Sequence, residues 1–285
     1  MSYKRALIRF LDRPGGRFLL GKIVTRFVRQ LGGEGVEIAY VDGMWTRRSG
    51  EHFFPDGFRF DYKYADFDSW KRQADIYADD TNEYWLRHYR PQEGDTIVDV
   101  GAGRGEDTLT FSRAVGRTGR VIAIEAHPVT FAILQNFCRL NRLSNVSVRH
   151  VALMDKAGTV RITESGSSWM ENCVEPGGGM SGISVPANTF DDLCVQDGVK
   201  EIAFLKMNIE GSERYALPGM AGALQKVKQI CIACHDFRAD QGHGNYFRTR
   251  EFVEQFLADH GFAVSTRQDD PRYWVRDHVF GMKET

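Results

Sequence analysis

The chain has 285 residues, of which 42% are hydrophobic and 26% are charged, and its formal net charge is −1. This composition is typical of a globular protein with a sizeable core, and the charge argues against a general nucleic-acid binder, which usually carries a basic excess. No apolar run approaches the ~20 residues of a membrane span, and we find no secretory signal, so we expect a cytoplasmic protein whose five cysteines stay reduced.

Residues 3–32 form a basic, amphipathic segment that Pro14, Gly15 and Gly16 divide into two predicted helices. The apolar positions at helical spacing are Leu20, Val24, Phe27, Val28 and Leu31. The basic residues that avoid this stripe are Arg17, Lys22, Arg26 and Arg29. Two interpretations stay open: the second helix packs on the main domain, or it lies on an anionic membrane surface.

Residues 45–90 are rich in aromatic side chains. In "FFPDGFRFDYKY" the aromatic residues alternate with charged ones after Pro-Asp-Gly, which predicts a β-hairpin that turns at residues 55–57. Residues 69–90 look helical. We therefore expect residues 1–80 to form a helical and hairpin extension of a domain at 81–285. The extension would cover the cleft or form a partner interface, and we keep open a homo-oligomer.

Strands and helices alternate from Thr96 onward. The predicted strands are "TIVDV", "RVIAIE", "VSVRHVAL", "GTVRIT", "IAFLKMN", "QICIACH", "FAVST" and "VFGMK". This alternation predicts an α/β fold with a mostly parallel sheet and helices on both faces, in which ligands bind at the carboxyl ends of the strands. Residues 164–182 are rich in Gly and Ser and predict a mobile surface loop.

The stretch "VDVGAGRGEDT" predicts a cofactor loop between a strand and a helix. Its glycines follow G-x-G-x-G rather than the G-x-G-x-x-G of dinucleotide sites, and Glu125 follows Gly105 by twenty residues, in place to bind ribose hydroxyls. Asp99 precedes the first glycine by two residues; an acid there would repel a pyrophosphate but suit an ammonium group. The loop therefore favours S-adenosylmethionine, and a nicotinamide-dependent oxidoreductase is the less favoured alternative.

The segment from "VDVGAGRGEDT" to "NRLSNV" resembles class I methyltransferases, and "VALMDKAGTV", "FDDL" and "FLKMNIEGSERYAL" resemble the FkbM family of O-methyltransferases. The resemblance covers roughly residues 80–285. It implies a Rossmann-like, seven-stranded fold that binds S-adenosylmethionine and transfers a methyl group to a hydroxyl. Known substrates of the family include sugars and polyketide-type products. We favour a saccharide of a glycan or glycolipid slightly over a polyketide as the acceptor.

The resemblance also implies which residues bind the cofactor. The methionine end would be lined by Asp99, Gly101, Gly103 and Gly105. The ribose would be held by Glu125, with Ala126 and His127 beside it, and the adenine by Val151 and Ala152. A third catalytic candidate, besides the two bases considered below, is Asn208, which stands where the family usually has Asp, within "K-x-D-x-E-G". We therefore expect no bound metal, and a cofactor-binding relative without catalytic activity remains an alternative.

The stretch "QICIACHDF" contains Cys-x-x-Cys-His, the pattern of a c-type haem attachment site or half of a zinc site. As a strand, it would direct Cys231 and Cys234 to opposite faces, which excludes one shared metal. His235 would then lie at the carboxyl end of the strand, where a histidine suits the removal of a proton from an acceptor hydroxyl. Glu210 is the other candidate base, and a purely structural role stays open for both residues.

Overall fold

The computed structural model describes residues 3–60, 67–162 and 182–283. Its first part contains α1 (Tyr3–Leu11), α2 (Arg17–Gln30), β1 (Val36–Val41), β2 (Met44–Ser49), β3 (His52–Gly57), α3 (Phe67–Lys71) and α4 (Gln73–Tyr84). The predicted break between the first two helices is confirmed, since α1 ends before Pro14 and α2 begins after Gly16. The predicted mobile loop at residues 164–182 lies outside the described residues, apart from Gly182.

The predicted turn at Pro55-Asp56-Gly57 is wrong, because these residues lie inside β3. β3 pairs with β2 in an antiparallel sheet of order β1-β2-β3, and the chain reverses between Ser49 and His52. Pro55 has no N–H to donate, but it is accommodated because β3 is an edge strand and a register shift at Trp45 and Thr46 lies opposite it. Residues 61–64, the end of the predicted hairpin, lie outside the described residues.

The second part forms the predicted α/β domain. Its strands are β4 (Thr96–Val100), β5 (Arg120–Glu125), β6 (Val146–His150), β7 (Ala152–Leu153), β8 (Gly158–Ile162), β9 (Ile183–Asn188), β10 (Ile202–Met207), β11 (Val227–Ala233), β12 (Ala263–Thr266) and β13 (His278–Met282). Its helices are α5 (Glu106–Ala114), α6 (Pro128–Leu140), α7 (Phe190–Gln196), α8 (Glu213–Ala216), α9 (Asp236–Asp240), α10 (Arg250–Asp259) and α11 (Tyr273–Arg276). Short 3-10 turns at 217–220, 223–226 and 245–247 complete the described elements.

The seven-stranded sheet has the order β12-β13-β11-β10-β4-β5-β6, and β13 is antiparallel to both of its neighbours. The predicted Rossmann-like, mostly parallel sheet is confirmed. The strand predicted at "VSVRHVAL" is divided at Val151: β6 ends the large sheet, while β7 begins a small sheet of order β7-β9-β8. Val151 therefore lies at the carboxyl end of β6, where the chain leaves the large sheet.

Helices cover both faces of the large sheet, so successive side chains of a central strand pack alternately into the core on one face and the core on the other. Ile97 and Phe204 pack with α5, whereas their neighbours Val98 and Leu205 pack with α7, α8 and α10. This explains why these strands read as continuous apolar runs instead of alternating ones.

The N-terminal sheet packs directly on α6. Phe54 of β3 is 4% exposed and contacts Phe137, and the Asn141 amide bonds both the N–H and the C=O of Phe53. The predicted boundary between residues 80 and 81 falls inside α4, which packs on α5. No helix of the described residues is long and apolar enough to cross a membrane.

Candidate cofactor and acceptor site

The carboxyl ends of β4, β5, β6 and β10 surround a cavity of about 260 Å³. Nine of the residues predicted for the site line this cavity: Gly101, Gly103, Glu125, Ala126, His127, Val151, Ala152, Asn208 and Glu210. Asp99, Gly105 and His235 are predicted site residues that do not line it. Residues more than 100 positions apart in the chain thus meet at one edge of the sheet, as expected for a parallel α/β fold.

Glu125 is the last residue of β5, and its carboxylate hydrogen-bonds both the glycine loop and the residue before α6. Its two carboxylate oxygens accept hydrogen bonds from the backbone N–H of Gly103 (3.0 Å) and of His127 (2.8 Å). Burial raises the pKa of Glu125 to about 7, against the opposing effect of those two hydrogen bonds. His127 in turn caps α6 by accepting the N–H of Thr130. Glu125 is therefore held in one orientation at the place predicted for the ribose.

Glycine is required at positions 101 and 105 of the loop for different reasons. Gly101 has φ +71°, and a Cβ there would lie 2.0 Å from the carbonyl oxygen of Asn208, so only glycine lets the loop pass this close to the end of β10. Gly105 has φ +102° and precedes α5, but a Cβ there would lie 2.5 Å from the ring of Phe137. The requirement for glycine at position 105 therefore comes from conformation and packing beside α6, away from the cavity.

Asp99 lies beneath the loop, which corrects the prediction that it lines the methionine end. The side chain is fully buried, and its two oxygens accept hydrogen bonds from the Thr108 hydroxyl (2.6 Å) and from Lys206 Nζ (2.9 Å). Lys206 also donates to the carbonyl of Gly101 (2.8 Å). The sequence did not indicate this role, because Lys206 lies 107 residues from Asp99 and reads as one polar residue in an apolar strand.

Glu106 and Asp107 add two acidic groups to the cavity besides Glu125 and Glu210, and neither was predicted as a site residue. Both residues line the cavity from the first turn of α5. Burial raises the pKa of Glu106 to about 7, and burial also raises the pKa of Asp107 against the nearby charge of Lys206. Their pattern, two acids after a glycine, was visible in the sequence but is also typical of an ordinary helix start.

Glu210 lines the cavity from the end of β10. Its backbone has φ +55°, a strained conformation for a residue with a Cβ. Its carboxylate accepts a hydrogen bond from Arg238 (2.8 Å) and pairs with His235 Nε2 (3.0 Å). Burial alone would raise the pKa of Glu210, but His235 and Arg238 hold it below the usual value. The carboxylate is thus kept charged at the cavity wall.

His235 follows the end of β11, as predicted, but it lies behind Glu210. The residue is 7% exposed, and its Nδ1 atom is buried without a hydrogen-bond partner among the described residues. Burial alone would lower the pKa of His235, but the charge and hydrogen bond of Glu210 raise it. The geometry therefore places Glu210, and not His235, at the cavity wall.

The two cysteines of the Cys-x-x-Cys-His motif point to opposite faces of the sheet, as predicted. Cys231 packs in the core beside α5 and Cys234 in the core beside α10. Burial raises the pKa of both thiols well above the usual value. The described residues contain no group of three or more side chains suited to a metal ion. The absence of a bound metal stays a prediction.

The comparisons with known proteins agree with this geometry. Residues 99–264 match the family model of the methyltransferase FkbM domain, and residues 27–164 match that of protein-L-isoaspartate(D-aspartate) O-methyltransferase. The curated 31-O-demethyl-FK506 methyltransferase FkbM of Streptomyces tacrolimicus is 26% identical over 223 residues, which are 66% of this chain and 81% of that protein.

Two solved structures are similar in outline. Methyltransferase FkbM from Methylobacillus flagellatus KT has a TM-score of 0.49 and 18% identity, covering 75% of this chain and 52% of that one. The chain thus spans about half the length of that protein. An O-methyltransferase from Bacillus cereus in complex with SAH has a TM-score of 0.40 and 13% identity, covering 74% and 80% of the two chains.

The residues around the cavity fit S-adenosylmethionine. The site combines a glycine that a Cβ would block, an oriented carboxylate at the ribose position and two acids that suit the ammonium group of the methionine. The FkbM model spans more than half of the chain. The chain therefore belongs to the FkbM family of S-adenosylmethionine-dependent methyltransferases.

Proposed function

We propose that the protein is an O-methyltransferase that methylates a hydroxyl of a small-molecule or saccharide acceptor, and that Glu210 receives the proton of that hydroxyl. One observation carries the proposal: the Glu210 carboxylate lines the same cavity as the residues assigned to the cofactor. Because a hydroxyl loses its proton when it is methylated, a fixed carboxylate at the cavity wall supplies what the chemistry requires.

The cofactor part of the proposal assigns each end of S-adenosylmethionine to residues of the cavity. The backbone at Gly101 and Gly103 would lie along the methionine moiety, Glu125 would accept the ribose hydroxyls, and Val151 and Ala152 would contact the adenine. Bound S-adenosylmethionine supplies an electrophilic methyl group on its sulfonium sulfur. The protein mainly brings the acceptor oxygen into line, and such positioning accounts for much of the rate in reactions of this type.

The acceptor part of the proposal rests on the pair of Glu210 and His235. A carboxylate has about four lone-pair sites, so Glu210 can accept the acceptor O–H besides its bonds to Arg238 and His235. The positive charges of Arg238 and His235 fix the orientation of the carboxylate. Such general base catalysis contributes roughly 10²–10⁴-fold to the rate. In this proposal His235 positions Glu210 and does not touch the acceptor.

Asn208, which replaces the usual acid of the family, is the reason to consider that the protein binds the cofactor without catalysing methyl transfer. Its side-chain oxygen is buried in the cavity wall without a hydrogen-bond partner among the described residues. An acceptor hydroxyl that donates a hydrogen bond to this oxygen would satisfy it, so the amide fits an active enzyme that binds its acceptor here. The amide fits equally well a relative that has lost the usual acid and with it the activity. The variant Asn208→Asp separates the two: activity that appears only in this variant would favour the non-catalytic relative.

The acceptor class is either a saccharide or a polyketide-type product. The name of the Streptomyces tacrolimicus relative refers to 31-O-demethyl-FK506, which supports a polyketide-type acceptor. Beside His235, the ring of Phe237 contacts Tyr273, and Tyr273 contacts Trp274; the last two are 48% and 43% exposed. Exposed aromatic faces at this edge suit the apolar face of a sugar ring or of a macrocycle.

The test is a turnover assay that measures S-adenosylhomocysteine release with a panel of hydroxylated saccharides, glycolipids and polyketide-type compounds. We expect Glu210→Gln to lower turnover by about 10²-fold or more while cofactor affinity stays unchanged. The matched control is Glu201→Gln, which removes a carboxylate with 63% side-chain exposure. Full turnover in Glu210→Gln together with inactive His235→Asn would transfer the role of base to His235.

A further inference from the structure

The two N-terminal helices expose an unusually apolar face. Leu19, Ile23 and Phe27 of α2 and Leu31 at its C-cap recur every four residues, and each is 49–55% exposed. In α1, Leu7 and Phe10 are 58% and 62% exposed. Large apolar side chains scattered singly over a surface are ordinary, but seven within residues 7–31, counting Phe18 at 74% exposed, mark an interaction surface.

This face is distinct from the face that packs on the protein. Leu20 and Val28 of α2 are 3% and 2% exposed and pack against Trp45. Thr25 hydrogen-bonds both the N–H and the C=O of Ile38, so α2 lies along the edge of β1. The predicted apolar stripe therefore combined two faces: Leu20 and Val28 turn inward, while Phe27 and Leu31 turn outward. α2 thus packs on the protein through one face and leaves the other face exposed.

Basic side chains run beside the exposed stripe. Lys22, Arg26 and Arg29 lie on the outer surface of α2, next to the positions of Leu19 and Ile23 on the helix. Arg29 pairs with Glu37 at 3.6 Å, but among the described residues Lys22 and Arg26 make no ion pair. We call these nine residues the α1–α2 surface: Leu7, Phe10, Leu19, Lys22, Ile23, Arg26, Phe27, Arg29 and Leu31.

The charge of the chain is strongly asymmetric around this surface. Residues 1–32 contain eight Lys or Arg and one Asp, a net charge of +7, and the net charge of the whole chain is −1. The remaining residues therefore carry −8. An apolar stripe flanked by basic residues on a short helix is the pattern of a segment that lies in the interface of a membrane.

We propose that the α1–α2 surface binds an anionic membrane surface. The apolar side chains would enter the boundary between headgroups and acyl chains, and the basic side chains would contact the anionic headgroups. The charge distinguishes this occupant from a second copy of the chain, because a symmetric dimer through the same face would bring two segments of +7 together. The proposal is independent of the acceptor and of the base.

The experiment measures co-sedimentation of the full chain with phosphatidylcholine vesicles that do or do not contain phosphatidylglycerol. We expect binding to the anionic vesicles that weakens as salt is added. Lys22→Gln with Arg26→Gln should weaken binding by roughly 25-fold at low salt, since each basic residue near such a surface contributes about fivefold. Ile23→Ser with Phe27→Ser should weaken it roughly 100-fold, since each apolar side chain contributes about tenfold.

The matched controls change exposed side chains of the same kinds elsewhere on the protein. Val195→Ser changes a valine that is 76% exposed, and Lys200→Gln changes an exposed lysine; neither should alter vesicle binding. Thermal denaturation and S-adenosylhomocysteine affinity should be unchanged in all variants, which separates this test from that of methyl transfer. Absence of binding to anionic vesicles at low salt would overturn the proposal. So would a dimer, seen by sedimentation equilibrium, that the Ile23 and Phe27 variants dissociate without any vesicle binding.

Discussion

One buried charged residue, Lys206, holds the cofactor loop in place. Lys206 is 2% exposed and connects Asp99, Asp107 and the carbonyl of Gly101, with its ammonium 5.1 Å from the ring of Trp85. Burying a lysine costs free energy that only this set of partners offsets. Burial alone would lower the pKa of Lys206, but Asp99 and Asp107 raise it, so the residue stays charged.

Replacing Lys206 with Met should be strongly destabilising, because Asp99 would remain buried without its cation. We expect a loss of about 3–5 kcal/mol in the free energy of unfolding, measured by urea denaturation. The double variant Lys206→Met with Asp99→Asn also removes the buried charge of Asp99 and should recover a large part of that loss, since of the two carboxylates only Asp107 then lacks its cation. Equal destabilisation of the single and double variants would contradict the pairing.

Glu125 is the residue on which cofactor affinity should depend most directly. Glu125→Ala removes the acceptor of the ribose hydroxyls and also frees the N–H groups of Gly103 and His127. At ~1.5–3 kcal/mol for hydrogen bonds to a charged group, affinity for S-adenosylhomocysteine should fall roughly 10- to 100-fold in calorimetry. An unchanged dissociation constant would refute the ribose assignment.

His235 should make stability depend on pH in a defined direction. Burial lowers the pKa of His235, but Glu210 and Glu213 raise it above the ordinary value of 6.5 in the folded state, against the opposing charge of Arg238. Burial lowers the pKa of the neighbouring His278 to about 4, so that residue is neutral over the pH range in which His235 titrates. The stabilisation is therefore complete below the unfolded pKa and is lost as pH rises through the folded pKa. We expect the difference in unfolding free energy between wild type and His235→Gln to be largest below the ordinary histidine pKa of 6.5 and to shrink as the pH rises above it. A difference that grows with pH would contradict this pairing.

At the scale of elements, the turn from β4 into α5 is the most constrained segment of the site. It enters the helix through Gly105, whose positive φ and contact with Phe137 leave no room for a side chain. The segment is fixed from three sides, by the end of β10 at Gly101, by Glu125 of β5 and by α6. The shape of the cofactor site is thus set by packing between elements.

Gly105→Ala tests this constraint. The variant should lose on the order of 2 kcal/mol in unfolding free energy and weaken S-adenosylhomocysteine binding, since both the conformation and the contact oppose a Cβ. Gly15→Ala is the matched control, because a Cβ at that glycine meets nothing within 4 Å and its φ is not positive. Equal stability of the two variants would show that the loop adapts to the methyl group.

At the scale of the whole molecule, the N-terminal sheet and the α/β domain share one interface. Phe54 lies among Phe137, Leu134 and other residues of the domain, and Asn141 fixes the backbone of Phe53. α4 continues through the predicted domain boundary. The chain should therefore unfold in one cooperative step.

Calorimetry of the full chain checks this expectation. We expect a single transition, and we expect Phe54→Ala to lower the unfolding free energy by about 3–5 kcal/mol while the unfolding stays a single transition. Phe58→Ala is a control, since Phe58 is 45% exposed. Two separate transitions in the wild type would show that the N-terminal part folds independently.

Local patterns predicted the architecture and the cofactor, and the resemblance to the FkbM family added most residues of the predicted site. The alternation of strands and helices predicted the parallel sheet, and the spacing from Asp99 through the glycines to Glu125 predicted the cofactor. These features are readable because periodicity and glycine placement act over a few residues. Nine predicted site residues line one cavity for the same reason: each lies at, or within a few residues after, the carboxyl end of a strand of the large sheet.

Only the tertiary structure decided the roles that depend on distant partners. Asp99 was predicted to face the ligand but is buried against Lys206, and His235 lies behind Glu210 at the cavity wall. The Pro-Asp-Gly stretch lies in the edge strand β3, and the register shift in β2 opposite it allows this pairing. In each case a contact between residues far apart in the chain, or on another strand, overrides the local preference, and no single stretch of sequence contains both partners.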